Sequence, residues 1–347
     1  MISSLKICGF KNIEEETLML KPLTILTGLN SAGKSTVIQS ILMLSSANST
    51  DHTAIIRSFM KDYSGFSTGR NRYINSREIQ IIAKCSNCNN LEVRYSNESY
   101  FQNTVVDPSP LDFDKNLFYI SANRIGQEEL SQFDEKIKFG TNGEYVFGFF
   151  EQNKSNTVSK EIITDEADSF TLDSQVSYWL KHILDIDLRI NTEQITSTNV
   201  KVSFNSDGLE NISPFNLGAG NSYLAKIIIM ALSCSPGNIL IIENPEIHLH
   251  PKAQSKLTDF LAFISSKNIQ LIIETHSEHI INKMRFHIYK GVAFAKDTII
   301  HYKPSAKEPF LHLNINKNGH FTDELNNEIS FPKGFFDSTL TELLEIM

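Results

Sequence analysis

Tryptophan and cysteine are scarce in this sequence, which has one tryptophan and four cysteines among its 347 residues. Four cysteines in a chain of this length do not suggest a disulfide framework. An excess of positive charge is also missing: the net charge is −8, so no overall positive field would attract nucleic acid. No apolar run is long enough to cross a bilayer, and charges interrupt the apolar residues of the N-terminal stretch MISSLKICGFKNIEEE. We therefore expect a cytoplasmic protein without a signal peptide.

A packed globular core is expected, because hydrophobic residues make up 41% of the chain and charged residues 21%. Apolar runs predict strands at residues 2–8, 24–27, 117–121, 200–204, 238–242 and 269–273. Helical spacing predicts helices at residues 35–45, 175–186, 222–232 and 252–265. The stretch IQIIAKCSNCNNLEVRYS predicts a hairpin around a polar turn.

The first chemical signal is a glycine loop between a buried strand and an apolar helix. Residues 28–35, GLNSAGKS, fit the pattern G-x-x-x-x-G-K-[ST]. In such a loop, backbone N–H groups surround phosphates, the lysine reaches the β- and γ-phosphates, and the serine hydroxyl binds Mg²⁺. The residues expected to bind the nucleotide are Asn30, Ser31, Ala32, Gly33, Lys34, Ser35 and Thr36.

Three further segments follow one another in the C-terminal third. Residues 216–222, NLGAGNS, form a glycine turn ahead of a long apolar helix. The strand at 238–242 leads into ENPEIHLHP at 243–251, and the strand at 269–273 leads into ETHSEH at 274–279. An acid that ends a buried apolar strand is typical of the Mg²⁺-binding strand of P-loop ATPases.

The order of these motifs resembles that of an ABC-type ATPase head, as found in chromosome-maintenance proteins and in the bacterial OLD (overcoming lysogenization defect) ATPases. The chain is more similar to a stand-alone bacterial group of AAA-family ATPases that carries ENPExHLHP, ETHSEH and a terminal PxGFFD, here at residues 332–337. Members of this group occur in phage-defence operons, and the ATPase subunit of the Septu system is similar. The motifs recur in order from residue 2 to residue 337, while residues 46–200 are covered only loosely.

In such heads two copies enclose two ATP molecules, and each copy offers its phosphate loop to one ATP and its signature turn to the other. The resemblance therefore implies a homodimer or a higher homo-oligomer. It places Gly218, Gly220 and Ser222 at the γ-phosphate bound by the partner. The usual Ser-Gly-Gly order is absent here, and an ordinary glycine turn that caps an apolar helix is the alternative.

The resemblance also implies the metal and switch residues. Glu243 and Ser35 would hold Mg²⁺, and His276 would hydrogen-bond the γ-phosphate. Many ABC heads have a second glutamate directly after the metal-binding acid, where this chain has Asn244. An amide takes up no proton, although it positions a water by hydrogen bonding, and Glu246 is the other carboxylate within reach. We expect slow ATP hydrolysis that works as a switch; the alternative is that Asn244 merely caps its turn.

Weaker signals add to this candidate site. Arg124 is expected to contact phosphate or the lid, with an ordinary surface position as the alternative, and Lys11 and Asn12 are expected to border the adenine. The chain has no HNH-like or other nuclease motif, and it lacks the acidic cluster of the Toprim nuclease that follows the head in OLD proteins. If nucleic acid is cut in this system, a separate protein is expected to cut it.

Zinc binding has little support in the sequence. Cys85 and Cys88 form a C-x-x-C pair, but a zinc ribbon needs a second pair and none is present. His248, His250 and His279 show no metal-ligand spacing with a cysteine, and they fit turns of the resembling group better.

These observations predict an α/β fold, namely an ABC-type ATPase head (P-loop NTPase). Its mixed, mostly parallel sheet is expected to carry an antiparallel N-terminal lobe and a helical insertion. One head is expected over residues 1–347: strands, P-loop and helix at 1–45, an antiparallel or irregular lobe at 46–122, a helical insertion or lid at 123–215, and the signature, metal and switch segments at 216–347.

The favoured function is a Mg²⁺-dependent ATPase that acts as sensor or regulator of a partner nuclease, expected to be of the HNH type, in bacterial anti-phage defence. Nucleic acid would then be reached through that complex. Two alternatives stay open. One is a DNA-repair or DNA-maintenance ATPase that binds DNA directly, and the other is a nucleotide-locked scaffold with negligible hydrolysis.

Overall fold

Buried strands alternate with helices along most of the chain. The computed structural model describes residues 1–46, 56–57, 60, 65–86, 90–96, 100–103 and 111–332. The strands are β1 (Ile2–Phe10), β2 (Ile13–Met19), β3 (Leu23–Gly28), β4 (Ile79–Cys85), β5 (Leu91–Tyr95), β6 (Tyr100–Asn103), β7 (Leu117–Ile120), β8 (Leu130–Gln132), β9 (Leu188–Gln194), β10 (Asn199–Ser206), β11 (Leu209–Ile212), β12 (Ile239–Glu243), β13 (Gln270–Glu274), β14 (Thr298–Lys303), β15 (Leu311–Ile315) and β16 (Phe321–Thr322). The helices are α1 (Lys34–Ser46), α2 (Phe66–Gly69), α3 (Val146–Asn153), α4 (Leu172–Leu184), α5 (Ala219–Leu232), α6 (Pro251–Ser265) and α7 (Glu278–Tyr289).

The chain divides into a first unit, Met1–Leu111 with Glu274–Met347, and a second unit, Asp112–Ile273.

An antiparallel sheet of five strands, in the order β2-β1-β4-β5-β6, forms the N-terminal part of the first unit. Along β1, buried side chains such as Leu5 and Ile7 alternate with less buried ones, as a strand with one covered face requires. β4 and β5 pair antiparallel with Ile81 opposite Val93, so the predicted hairpin is confirmed. This sheet is the antiparallel N-terminal lobe that the sequence predicts.

The strand before the phosphate loop is buried along its whole length. β3 reads LTILTG, a continuous buried run that is typical of a strand inside a parallel sheet. β3 pairs in parallel with β14, which pairs antiparallel with β15, and β15 pairs antiparallel with β16. Helix α1 begins at Lys34 directly after the loop, and its buried residues Val37, Ile38 and Ile41 recur at helical spacing. The predicted order of strand, loop and helix is confirmed.

In the second unit, the strand that ends in the predicted metal-binding acid lies between two others. β12 is entirely buried, pairs in parallel with β7, and has β13 on its other side. Parallel and antiparallel pairings together confirm the predicted α/β class with a mixed sheet. Helices α4 and α6 pack against each other through aromatic rings. Trp179, the one tryptophan, is buried in α4 with its ring centre 4.9 Å from that of Phe260 and 5.1 Å from that of Phe263.

Residues 123–215, predicted as a helical insertion, contain strands as well as helices. The helices α3 and α4 lie in this segment, and β10 pairs antiparallel with β8, β9 and β11. Buried Leu188, Ile190 and Thr192 alternate with more exposed residues in β9, so the period-2 pattern is present there. Only two of those three buried residues are apolar, and this is why the hydrophobic pattern alone does not mark β9 as a strand.

Candidate nucleotide-binding site

The phosphate loop closes around its own lysine. β3 ends at Gly28, whose φ is 129°, and a Cβ atom there would lie 2.2 Å from the carbonyl oxygen of Lys303. The Lys34 ammonium donates hydrogen bonds to the carbonyls of Gly28 at 3.1 Å and Leu29 at 2.8 Å. Burial lowers the pKa of Lys34, whose residue is 3% exposed. The lysine that the sequence assigns to the phosphates therefore already lies inside the loop.

The Asn12 side chain forms two hydrogen bonds with the phosphate loop. Its amide donates to the carbonyl of Ala32 at 2.6 Å, and its oxygen accepts from the hydroxyl of Thr36 at 3.1 Å. Gly33 has a φ of 119°, and a Cβ there would lie 2.7 Å from the Asn12 side chain, so a larger residue is excluded. The sequence assigns Lys11 and Asn12 to the border of the adenine; the structure adds that Asn12 holds the loop in shape.

A cleft of 440 Å³ adjoins Asn12 within the first unit. Its lining includes Glu14, Glu16 and Lys303, and the Lys303 ammonium donates to Glu16 at 3.0 Å. A cleft of this volume lies in the range of small-molecule sites. The adenine prediction therefore has a cleft of suitable size beside the loop.

A carboxylate that the sequence analysis did not assign lies against the loop. Glu274, at the end of β13, accepts a hydrogen bond from the Ser35 hydroxyl, whose Oγ lies 2.9 Å and 3.2 Å from its two oxygens. The same carboxylate lies 3.9 Å from the Lys34 ammonium, and both side chains are buried. Hydroxyl and carboxylate oxygens are suitable ligands for Mg²⁺. Ser35 and Glu274 therefore fit a magnesium ion at the start of α1.

His276 follows β13 in the first unit. The chain is fixed here by the N–H of Thr275, which donates to the carbonyl of Leu26 in β3 at 3.0 Å. Ser277 then caps α7 by accepting a hydrogen bond from a backbone N–H of the first turn at 3.3 Å. Partial loss of hydration, followed by the nearby charge of Lys34, lowers the pKa of His276. This shift favours the neutral imidazole over the imidazolium.

The predicted metal-binding acid ends β12 in the second unit. Glu243 is 9% exposed, and its carboxylate accepts a hydrogen bond from the N–H of Ala122 at 3.0 Å. Burial raises the pKa of Glu243, and this hydrogen bond, the Tyr119 side chain and the Arg124 charge offset part of that effect. A buried carboxylate is stabilised by a cation, so this position suits a residue that faces a metal.

Asn244 occupies a backbone position that disfavours glutamate. Its φ of 45° is left-handed, and asparagine adopts this conformation more readily than most residues other than glycine. Its backbone carbonyl accepts from the N–H of Ile247 at 3.2 Å, whereas no donor among the described residues reaches its buried side-chain oxygen. The alternative that this side chain merely caps the turn is therefore not supported. Glu246 lies in the same turn, and its charge favours the cationic form of Arg124.

Arg124 is buried and clamps the end of β12. It is 2% exposed, and its guanidinium donates to the carbonyls of Glu243 at 2.8 Å and Asn244 at 3.0 Å. The guanidinium lies 4.8 Å from the ring centre of Tyr223 in α5, and that ring stacks on His248 at 5.4 Å. Burial lowers the pKa of Arg124 to about 10. The alternative of a surface arginine is wrong, because this side chain is buried. It connects the end of β12 to the Tyr223 ring near the start of α5.

The glycine turn begins α5, and its glycines have different surroundings. Gly218 is exposed at the N-cap, and a Cβ there would meet nothing within 4 Å. Gly220 is buried, and a Cβ there would lie 2.5 Å from the carbonyl oxygen of His248. Ser222 is 1% exposed. A contact with a second copy needs accessible groups, which Gly218 and the half-buried Asn221 offer, whereas Ser222 lies inside the unit.

Among the described residues, the histidines and cysteines considered for zinc binding do not form a metal-binding cluster. Within the described ranges, no three His, Cys, Asp or Glu side chains are placed to hold a metal ion. His250 is the N-cap of α6, where its ring accepts from the N–H of Lys252 at 3.2 Å. His279 is exposed in α7, and Cys88 lies outside the described residues.

Two features of this candidate site were not predicted from the sequence. Glu274 ends the tripeptide Ile-Ile-Glu, which also occurs at 241–243, so the pattern that marked Glu243 was present a second time. The stacking of Arg124 on Tyr223 had no signal in the sequence, because the two residues lie far apart along the chain.

Comparisons with known proteins agree with this architecture. Residues 128–282 match the family described as "AAA domain, putative AbiEii toxin, Type IV TA system". A solved Smc head bound to the C-winged helix domain of ScpA is 12% identical, with a TM-score of 0.57 over 91% of this chain and 98% of that chain. A second Smc head with an extended coiled coil, bound to the C-terminal domain of ScpA derived from Pyrococcus furiosus, is 12% identical, with a TM-score of 0.51 over 90% and 96%. No curated protein matches the chain.

The fold is therefore that of an ABC-type ATPase head of the Smc kind, built around a P-loop. Within that class, residues 128–282 are similar to the AAA domain of the matched family. In the part of the chain that the structure describes, no helix is both long and apolar enough to span a membrane.

Proposed function

We propose that this chain binds ATP with Mg²⁺ and hydrolyses it slowly. The observation that carries the proposal is the phosphate loop, in which the buried Lys34 ammonium faces the carbonyl of Leu29 and the Ser35 hydroxyl faces the carboxylate of Glu274. Hydrogen bonds between charged groups are stronger than those to neutral carbonyls. Lys34 therefore exchanges the carbonyls of Gly28 and Leu29 for β- and γ-phosphate oxygens when ATP enters. The adjoining cleft takes the adenosine.

The residues around the loop have separate chemical roles in this proposal. Bound Mg²⁺ would supply positive charge that offsets the negative charge of the phosphates. Ser35 and Glu243 are its proposed ligands, directly or through water. His276 donates a hydrogen bond from its imidazole to the γ-phosphate. Asn244 orients the attacking water through its amide, and Glu246 takes up the proton of that water.

Slow turnover follows from the amide at position 244. An amide oxygen accepts a hydrogen bond from water but does not take its proton, so catalysis relies on positioning and on charge stabilisation. The ATP-bound state then lasts long enough to act as a signal. A nucleotide-locked scaffold without turnover is the limiting case of the same site.

The signal is proposed to pass through self-association and a partner. The N-terminus of α5 at Gly218 carries the partial positive charge that suits the γ-phosphate of a second copy. The resemblance of residues 243–251 and 274–279 to a phage-defence group supports a role in that process, as does the toxin named in the matched family. The chain carries no nuclease motif, so we propose a separate nuclease of the HNH type as the effector.

Phosphate release by the purified protein with ATP and Mg²⁺ tests this function. We expect a rate below about 1 per second, slower than a median enzyme. Lys34→Ala should abolish both release and ATP binding. The matched control is Lys317→Ala, which removes an exposed lysine and should change neither. Tight ATP binding without any release would establish the scaffold instead, and no ATP binding at all would reject the proposal.

A specific surface favours direct binding of DNA as a second candidate function. Phe286, Tyr289 and Phe294 are exposed in and after α7 although they are aromatic. Lysine ammonium groups lie 5.4–5.6 Å from the centres of these rings, with Lys290 over both Phe286 and Tyr289 and Lys296 over Phe294. Cationic and aromatic side chains together suit phosphates and bases. Binding of a labelled duplex by the purified protein at low salt would favour this function.

A further inference from the structure

The position of Glu274 gives it access to the metal side of the loop. Its two oxygens lie 2.9 Å and 3.2 Å from the Ser35 Oγ, and the residue is 6% exposed. Its contact with the Lys34 ammonium is longer, at 3.9 Å. Lys34 in turn donates to the carbonyls of the loop, so Glu274 faces the serine more than the lysine.

The distance between Ser35 and Glu274 matches that of neighbouring ligands on magnesium. Mg²⁺ binds oxygens at about 2.1 Å in an octahedron, which places two adjacent ligand oxygens about 3.0 Å apart. The Ser35 Oγ and the nearer Glu274 oxygen are separated by 2.9 Å. Mg²⁺ would become the common partner of these two atoms if the Ser35 hydroxyl kept its proton and turned it away from Glu274, so neither side chain needs to move far.

We propose that Glu274 is a direct ligand of Mg²⁺ beside Ser35, and that it makes the loop selective for the Mg²⁺ complex of ATP over metal-free ATP. This inference rests on the proposed function and adds a ligand to it. A buried carboxylate in a phosphate loop repels the triphosphate unless a cation lies between them. The same group thus favours ATP with its metal and opposes ATP without it.

The test compares nucleotide affinity with and without metal in Glu274→Gln. A fluorescent, non-hydrolysable ATP analogue is titrated in Mg²⁺ and, separately, in EDTA, so the readout does not depend on turnover. Glutamine keeps the size and loses the charge. We expect affinity in Mg²⁺ to fall about tenfold or more, the scale of a lost metal contact. In EDTA we expect affinity to rise or to stay the same.

Four further variants sharpen this comparison. Ser35→Ala should weaken binding in Mg²⁺ as well, and the double variant with Glu274→Gln should lose less than the sum of the two. Glu274→Asp keeps the charge and should retain part of the preference for metal. The matched control Glu324→Gln, in an exposed turn, makes the same change of charge and should leave both affinities unchanged.

Several outcomes would overturn the inference. Weaker binding of Glu274→Gln in both media would mean that the carboxylate only supports the loop. Tighter binding in both would mean that it blocks the loop, and unchanged affinities with lost hydrolysis would make it a proton acceptor. If the wild-type protein binds no nucleotide in either medium, the proposed function itself is wrong.

Discussion

At the scale of single residues, Asn244 combines two roles that substitutions can separate. Its backbone has a φ of 45°, which favours asparagine or glycine, and its amide is the proposed support for the attacking water. A glutamate at this position would supply a carboxylate, but it would also have to adopt a conformation that its side chain disfavours. The absence of the usual second carboxylate is therefore partly a consequence of how the chain turns after β12.

The pair Asn244→Gly and Asn244→Ala separates these roles. Glycine adopts the left-handed conformation without strain, so Asn244→Gly should keep its melting temperature and its ATP affinity while phosphate release falls about tenfold. Alanine should lose the same activity and about 1 kcal/mol of folding stability as well. Thermal unfolding and phosphate release measure the two effects. Full activity of Asn244→Gly would show that the amide has no part in hydrolysis.

Much of the site was predictable from local patterns. The loop residues from Asn30 to Thr36 follow from one motif, because the predicted phosphate contacts come from neighbouring backbone groups. Arg124 could not be placed in the same way. Its burial depends on a ring from α5 and on two carbonyls at the end of β12, and no spacing in the sequence brings these groups together.

At the scale of secondary-structure elements, two histidines join β14 to β15. His301 and His312 lie opposite each other in the antiparallel pair, with their Nδ1 atoms 2.7 Å apart. The Nε2 of His301 lies 2.8 Å from the carbonyl oxygen of Met19 and must donate to it, because a carbonyl only accepts. Nδ1 of His301 is then the acceptor of a proton on His312. His301 is neutral in this arrangement, and a proton on its Nδ1 would break the contact with His312.

The first unit should therefore lose stability in acid. Burial, and then the charge of His312, lower the pKa of His301 to about 3, below its ordinary value of 6.5. Below pH 6.5, His301 binds a proton in the unfolded chain but not in the folded protein. The stability that is present above pH 6.5 is therefore lost as the pH falls. From pH 6.5 to 5 the loss should be about 1.5 kcal/mol.

Denaturant unfolding at pH 7.5, 6.5 and 5 measures this slope. His301→Gln should be less stable at neutral pH but should show a flatter dependence on pH. His279→Gln removes an exposed histidine and should keep the wild-type slope. If His301→Gln lost stability in acid as steeply as the wild type, another group would have to be responsible.

The predicted elements were correct where burial is continuous. β3, β12 and β13 are buried at every position, and α5 is apolar around most of its surface, so each had a strong signal. β11 is short and mostly exposed, and β9 has only two apolar side chains among its three buried ones, so pairing with β10 contributes to the stability of both strands. Pairing between strands depends on the fold as a whole, and a single-sequence pattern does not record it.

At the scale of the whole molecule, ATP should join two copies through the start of α5. Gly218 is exposed and has room for a side chain, so Gly218→Val should fold normally but should not form a dimer with Mg²⁺ and a non-hydrolysable ATP analogue. Gly220→Val is the contrasting change, because its side chain would collide with a carbonyl in the same unit. It should lower stability by about 1–3 kcal/mol.

Analytical ultracentrifugation and thermal unfolding distinguish these two effects. Each copy carries a net charge of −8, so salt should strengthen the wild-type dimer by screening the repulsion between copies. A Gly218→Val protein that still dimerises with nucleotide would move the interface away from α5.

Trp179 makes the two units separately observable in solution. It is the one tryptophan of the chain, and it is buried in the second unit against Phe260 and Phe263. Intrinsic fluorescence excited at the indole therefore follows the unit that holds Glu243, while the acid-sensitive histidines belong to the unit that holds the phosphate loop. If denaturant unfolding at pH 5 were followed by this fluorescence and by far-ultraviolet circular dichroism, any gap between the two curves would measure how independently the units unfold.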